Sequence, residues 1–239
     1  MLESFQKELY LLTLVIAGIT AVLGFLVVHQ FLRRKSSEKL SNTRVVIFSL
    51  LAFGYTCFAL GELSWYVIFD IFKQLPSVSM PDLYWVAGSV SLLAGFMLYS
   101  FTLFKQRQEL QKGLLIIFLE IVFFGVMLYY VLGANIIHEN NAPGQIFLGY
   151  YYPLVSAFIL LSSLSIYFLS RDQPFGSSWL YLLSANLAFF VGDLLYTYSA
   201  FRGYGLVGAL SDIFYIAAYG LCSFFFLRVW QWNREIEKK

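Results

Sequence analysis

The sequence predicts an all-α integral membrane protein of seven transmembrane helices, with the amino terminus outside, the carboxyl terminus inside and a 3+1+3 parallel internal repeat. Three observations carry this. Of 239 residues, 59% are hydrophobic and only 13% charged, against about a quarter charged in soluble domains; the mean hydropathy is +0.71. Seven apolar runs are long enough to cross a bilayer. A Gly-acid pattern occurs twice at matched spacing. This composition excludes a soluble enzyme, a nucleic-acid binder and a disordered chain. Cys57 and Cys222 both lie inside apolar runs, which implies neither a disulfide framework nor a zinc site.

A spanning helix needs roughly 20 mostly apolar residues. Such runs fall at about 9–32, 45–73, 82–104, 113–133, 147–170, 177–201 and 207–230. The joints between them carry turn and charge signals, such as Arg33-Arg34-Lys35-Ser36-Ser37, Ser77 to Pro81 and Arg202 to Gly205. Residues 1–230 therefore read as one membrane domain, with repeat A at 9–104, a connector helix at 113–133 and repeat B at 147–230. Residues 231–239 form a polar cytoplasmic tail.

The basic residues set the orientation. With the amino terminus outside, the inner side collects Arg33, Arg34, Lys35, Lys39, Arg44, Lys105, Arg107, Lys112, Arg171, Arg228, Arg234, Lys238 and Lys239. The outer side keeps Lys7, Lys73 and Arg202, a strong positive-inside bias. The first run has no basic flank ahead of it and reads as a span rather than a cleaved signal peptide. The loop from Arg33 to Arg44 is expected to touch anionic lipid head groups.

The repeat is visible residue by residue. Gly61-Glu62-Leu63, Trp65-Tyr66 and Pro81-Asp82-Leu83-Tyr84-Trp85 are echoed by Gly192-Asp193-Leu194, Tyr196-Thr197-Tyr198 and Ser211-Asp212-Ile213-Phe214-Tyr215. The acids are 20 positions apart in the first copy and 19 in the second. A connector helix between the copies would let both point the same way.

At these motifs the chain resembles the multi-helix membrane modules found ahead of histidine kinase, PAS or diguanylate cyclase domains in prokaryotic signalling proteins. The likeness covers somewhat under half of the chain. It implies a sensor module, and in that family the tail from Gln231 to Lys239 would open a linker to an output domain. Here the expectation is a cytoplasmic signalling partner at the tail.

Charged side chains at bilayer depth are expensive and are functional candidates by default. Short outer turns place Glu62, Asp82, Asp193 and Asp212 in the outer half. Helical spacing adds Trp65 and Tyr66 to the Glu62 face, Trp85 to Asp82, Tyr196 to Asp193 and Tyr215 to Asp212. These nine residues are the expected cavity wall, an outward-facing cup of acids and rings. Four acids at that depth cannot all stay ionised without partners. The cup is suited to protons, a metal cation or an organic cation held between rings and carboxylates. Plainer readings stand beside this. Asp82 and Asp212 sit where an acid caps a helix start. Glu62 and Asp193 could be protonated glue between helices. Glu120 reads as a structural pairing. The small-residue rows Ala87-Ser91-Gly95 and Ser184-Ala188-Gly192 read as packing.

Other motifs fail on context. Gly203-Tyr204-Gly205-Leu206-Val207-Gly208 matches a dinucleotide fingerprint but follows no strand. His29 and His138 stand on opposite sides of the membrane, and no serine has a histidine partner at depth. The seventh run lacks the lysine a retinal pigment needs. The expected function is a non-enzymatic membrane sensor for a small ligand or protons, needing no cofactor or bound metal, in the cell membrane. The alternative is a proton- or cation-coupled transporter, and a third reading is a structural subunit of a membrane assembly. The inner halves of the helices, as at Val45 to Leu51 and Leu221 to Leu227, are almost purely apolar, which favours a one-sided cup.

Overall fold

The computed structural model describes residues 2–33, 39–72, 78–107, 142–171, 176–203 and 205–237, together with 118–119, 122–123 and 125–126. Every regular element is helical: α1 (Leu2–Arg33), α2 (Lys39–Trp65) continuing into a π-helical segment (Tyr66–Ile71), α3 (Met80–Arg107), α4 (Pro143–Ser170), α5 (Ser178–Arg202) and α6 (Gly205–Glu237). All six are long and apolar enough to cross a membrane. Several ends overrun the apolar runs, as α1 does at Leu2, α2 at Lys39 and α6 at Glu237, because polar terminal turns outside the lipid keep their helical hydrogen bonds. The short pairs between 118 and 126 are also helical. The expected connector over 113–133, including Glu120, otherwise lies outside the described residues.

The helices close into a ring in chain order. Each packs on the next, and α1 packs on α6. Among the described residues, no helices meet backbone to backbone across the ring. Two seams deserve separate treatment because their partners run the same way. Ser89 on α3 meets Tyr151 on α4, and Ser100 meets Ser162, with the same offset of 62 residues; only parallel helices keep a constant offset. On the other side Thr20 of α1 bonds the Tyr219 carbonyl (3.0 Å) and Ser223 (2.8 Å) of α6, and Gly24 faces Phe226 further along both helices. The remaining neighbours run antiparallel, as Gly54 against Leu92 and Gly61 against Trp85 show for α2 and α3.

Close approach of α2 and α3 depends on glycine. A Cβ on Gly54 would lie 2.9 Å from the Gly88 carbonyl, and one on Gly88 would lie 2.8 Å from the Gly54 carbonyl. The packing row on α3 is thus Gly88, Leu92 and Gly95, with Ser91 bonding the Leu50 carbonyl at 2.8 Å. Ala87, expected in that row, faces outward. One residue turns a helix by about 100°, and here that step carries it off the contact. The glycines of the discarded fingerprint make the α5–α6 turn, with φ of 99° at Gly203 and 37° at Gly205.

The two ends of the ring differ. Toward the ends of α1 and α6 the interior is filled by aromatic rings. Trp179 stacks on Tyr99 at 4.7 Å and meets Phe225 at 4.9 Å, while Phe48 lies 4.9 Å from Phe31. Trp179, Phe225 and Phe226 are essentially inaccessible. The outside of the ring is apolar, with Val22, Phe53, Phe101, Phe168 and Phe224 all exposed. Of the tail at 231–239, residues to Glu237 are described and continue α6, with Asn233 fully buried and Arg234 over the Trp230 ring at 4.9 Å.

Filling the α2–α3 contact should break the ring. Gly54→Val is expected to destabilise by about 1–3 kcal/mol, the usual result of overpacking, whereas Gly18→Ala, with nothing within 4 Å of its Cβ, should be neutral. Thermal unfolding of the two purified variants compares them directly.

Candidate binding cavity

Opposite the aromatic plug, the ring opens into a hollow of about 100 Å³ to which all six helices contribute. Glu62 lies in the last turn of α2, where Gly61 lets the Trp85 indole pack against the helix; a Cβ there would be 2.5 Å from the ring. Asp193 on α5 has the same setting. A Cβ on the preceding Gly192 would lie 2.9 Å from the Tyr215 ring of α6.

Neither carboxylate is left bare. Tyr219 on α6 donates to Glu62 Oε1 at 3.0 Å. Tyr215 donates to Asp193 Oδ1 at 2.7 Å, and Ser156 of α4 donates to Oδ2. These three hydroxyls tie α2, α4, α5 and α6 together at one level. Asp212 also lines the hollow and is buried. The walls are aromatic. Trp65 and Trp85 lie 6.0 Å apart, and Phe189 meets the edge of Tyr219 at 5.0 Å.

Of the nine expected wall residues, Glu62, Trp65, Trp85, Asp193, Tyr196, Asp212 and Tyr215 line this hollow. Two do not. Asp82 lines a second, adjoining hollow of about 120 Å³ that shares Trp65, Tyr152 and Tyr196 with the first. Its Oδ2 accepts from the Ser79 backbone N–H at 2.7 Å and the Ser79 hydroxyl at 3.1 Å, and its Oδ1 from Tyr152 at 2.8 Å. Such a return bond from the third helical residue is half of a capping box, so Asp82 secures the start of α3. Tyr66 lines neither hollow. The backbone leaves the α register there and enters the π-helical segment, which removes the four-residue alignment with Glu62. The capping expectation fails for Asp212, since α6 starts at Gly205 and carries Asp212 about two turns inside the helix.

Sequence reasoning left out of the wall several residues that the structure supplies. Tyr10 and Thr13 bring α1 into it, and Ser156, Asn186 and Phe189 line it as well. Tyr152, Ser156 and Ile159 follow one face of α4 at helical spacing, a signal that was available without any acid to mark it. Asn186 is 2% exposed, and its Nδ2 has no hydrogen-bond partner among the described residues. Among the same residues, no three His, Cys, Asp or Glu side chains gather as a metal-ligand set.

Removing the Tyr215 hydroxyl as Tyr215→Phe strips Asp193 of one donor and should cost about 1–3 kcal/mol, the penalty for a buried acceptor losing its partner. Tyr151→Phe, which leaves Ser89 bonded to the Val86 carbonyl, should cost less than half as much in the same melting experiment. Compared with known family models, curated proteins and solved structures, the chain matches none.

Proposed function

We propose that this chain is a multi-pass protein of the cell membrane that works as a receptor-like sensor module, without enzymatic activity, binding a small ligand in the hollow around Glu62 and Asp193. The observation that carries this reading is the contrast between the ends of the ring. The acids and hydroxyls occupy one end, and the rings of Trp179, Phe48 and Phe225 fill the other. A site open to one side binds; a transport path needs a second opening. The transporter reading is the weaker one because a solute leaving the hollow would have to displace that plug.

The positive-inside bias turns the plugged end to the cytoplasm and the hollow outward. The parallel α3–α4 seam supports a seventh crossing, since the chain between Arg107 and Pro143 has to return to the starting end of the bundle. The matching settings of Gly61-Glu62 with Trp85 and of Gly192-Asp193 with Tyr215 support the internal repeat. Ligand binding would bias the packing of the two halves at the α1–α6 and α3–α4 seams, provided the ligand prefers one packing. The change would pass along α6, whose far end is docked through Asn233, to a cytoplasmic signalling partner.

Two measurements test this. In proteoliposomes loaded with a pH-sensitive dye, no acid-driven flux beyond that of empty liposomes is expected; robust flux abolished by Glu62→Gln would overturn the sensor reading. For orientation, single cysteines at the exposed positions Gln145 and Ser177 lie at opposite ends, while the native Cys57 and Cys222 are buried. An impermeant maleimide should label Gln145→Cys in intact cells and Ser177→Cys only after permeabilisation.

A further inference from the structure

We propose that the hollow takes a small organic ammonium ion carrying a hydrogen-bond acceptor about 3–4 Å from its charge, the acceptor being held by Asn186 and the charge by Glu62 and Asp193. This rests on the ligand-binding reading above and names the class of ligand.

Four observations converge. First, Glu62 and Asp193 line the hollow and accept hydrogen bonds from Tyr219, Tyr215 and Ser156, which fixes two carboxyl groups in the wall where a cation would meet them. Among the described residues, no Lys, Arg or His lines the hollow, so a cation bound there meets no competing positive charge in the wall. Second, the surrounding walls are faces and edges of Trp65, Trp85, Phe58 and Tyr196. Aromatic faces attract poorly hydrated organic cations, whereas an inorganic ion would demand oxygen ligands in number. A metal is further disfavoured by the missing ligand set among the described residues.

Third, the Asn186 amide is nine-tenths buried and more, lines the hollow, and has a donor without a partner among the described residues. Buried donors are rarely left unmet, and such a vacancy calls for an acceptor. Asn186 lies seven residues before Asp193 on the same face of α5, roughly 10 Å along the axis. Allowing about 2.9 Å for the hydrogen bond at the amide and roughly 4 Å for a methyl-shielded ammonium centre against a carboxylate leaves about 3–4 Å between the ligand's charge and its acceptor. Fourth, the volume limits the body. An enclosed cavity of about 150 Å³ admits benzene, so a hollow of about 100 Å³ encloses about four heavy atoms, the size of an ammonium head group, and the rest of the ligand extends toward its mouth. Long polyamines are too large, and a ligand with its own carboxylate would face Glu62 and Asp193.

The test uses the full chain in nanodiscs and three probes of nearly equal shape: choline, its uncharged isostere 3,3-dimethylbutan-1-ol, and tetramethylammonium, which lacks the acceptor. Calorimetry and thermal stabilisation are read for each. Choline is expected to bind at least about tenfold more tightly than the isostere and several-fold more tightly than tetramethylammonium. Asn186→Leu should remove the advantage of choline over tetramethylammonium and leave tetramethylammonium unchanged; Glu62→Gln should weaken both cations. Equal binding of choline and the isostere would overturn the ammonium proposal while leaving the ligand-binding reading in place. A choline advantage that survives Asn186→Leu would overturn the role of Asn186. If Asn186→Leu fails to fold, the three-probe series on the native chain still decides. Should neither cation bind, the proposal falls, and a screen of neutral and anionic small molecules on the same sample then shows whether the ligand-binding reading falls with it.

Discussion

The rest of the structure depends on one constraint: a carboxylate inside an apolar helical bundle has to be met by donors from its neighbours. An uncompensated charge in such surroundings is costly by many kcal/mol, so the helices that carry Glu62 and Asp193 are not free to rotate. Tyr219 must face α2, and Tyr215 and Ser156 must converge on α5. These bonds fix the rotation of four helices around one level of the ring. Everything placed on those faces follows, including the outward-facing Phe53 and Phe224 and the inward-facing Phe189.

Glycine makes that convergence feasible. Gly61 and Gly192 each remove the side chain that would separate an acid-bearing helix from the aromatic ring on the next one. The ring then covers the stem of the acid and leaves its oxygens toward the hollow. At the opposite end the same helices carry large aromatics where the acids would be, and Trp179, Tyr99, Phe48 and Phe225 interlock. Close packing at one end and an acid-lined void at the other come from one pattern of side-chain size along each helix. A bundle built that way is stiff where it is filled and adaptable where it is not.

The parallel seams have a mechanical consequence. Among the described residues, each half of the ring is an antiparallel set of three helices, and the halves meet backbone to backbone along α1–α6 and α3–α4, with side chains such as Tyr219 and Glu62 reaching across the interior. Those seams are held by a few hydroxyl bonds, Thr20 to Ser223 and Ser89 to Tyr151 among them. Individual interhelical hydrogen bonds of this kind are worth about 0.6 kcal/mol in membranes. Rotation of one half against the other would have to break these bonds together with the Tyr219–Glu62 bond, and the hollow lies between the halves.

What the sequence determined by itself was the helical class, the position of nearly every helix, and the fact that Glu62, Asp193 and their aromatic companions belong to one end of the bundle. Lipid leaves the backbone no alternative to the helix, and side-chain polarity along a helix is a one-dimensional property. What only the tertiary structure decided was which residues face one another. Asp82 turned to cap its own helix and Tyr66 left the wall at the π-helical segment, while Tyr10, Ser156 and Asn186 entered it. Those outcomes depend on helix rotation, on the register between neighbours and on the closing of α1 against α6. Each is set by contacts between residues far apart in the chain, for which no local pattern exists to be read.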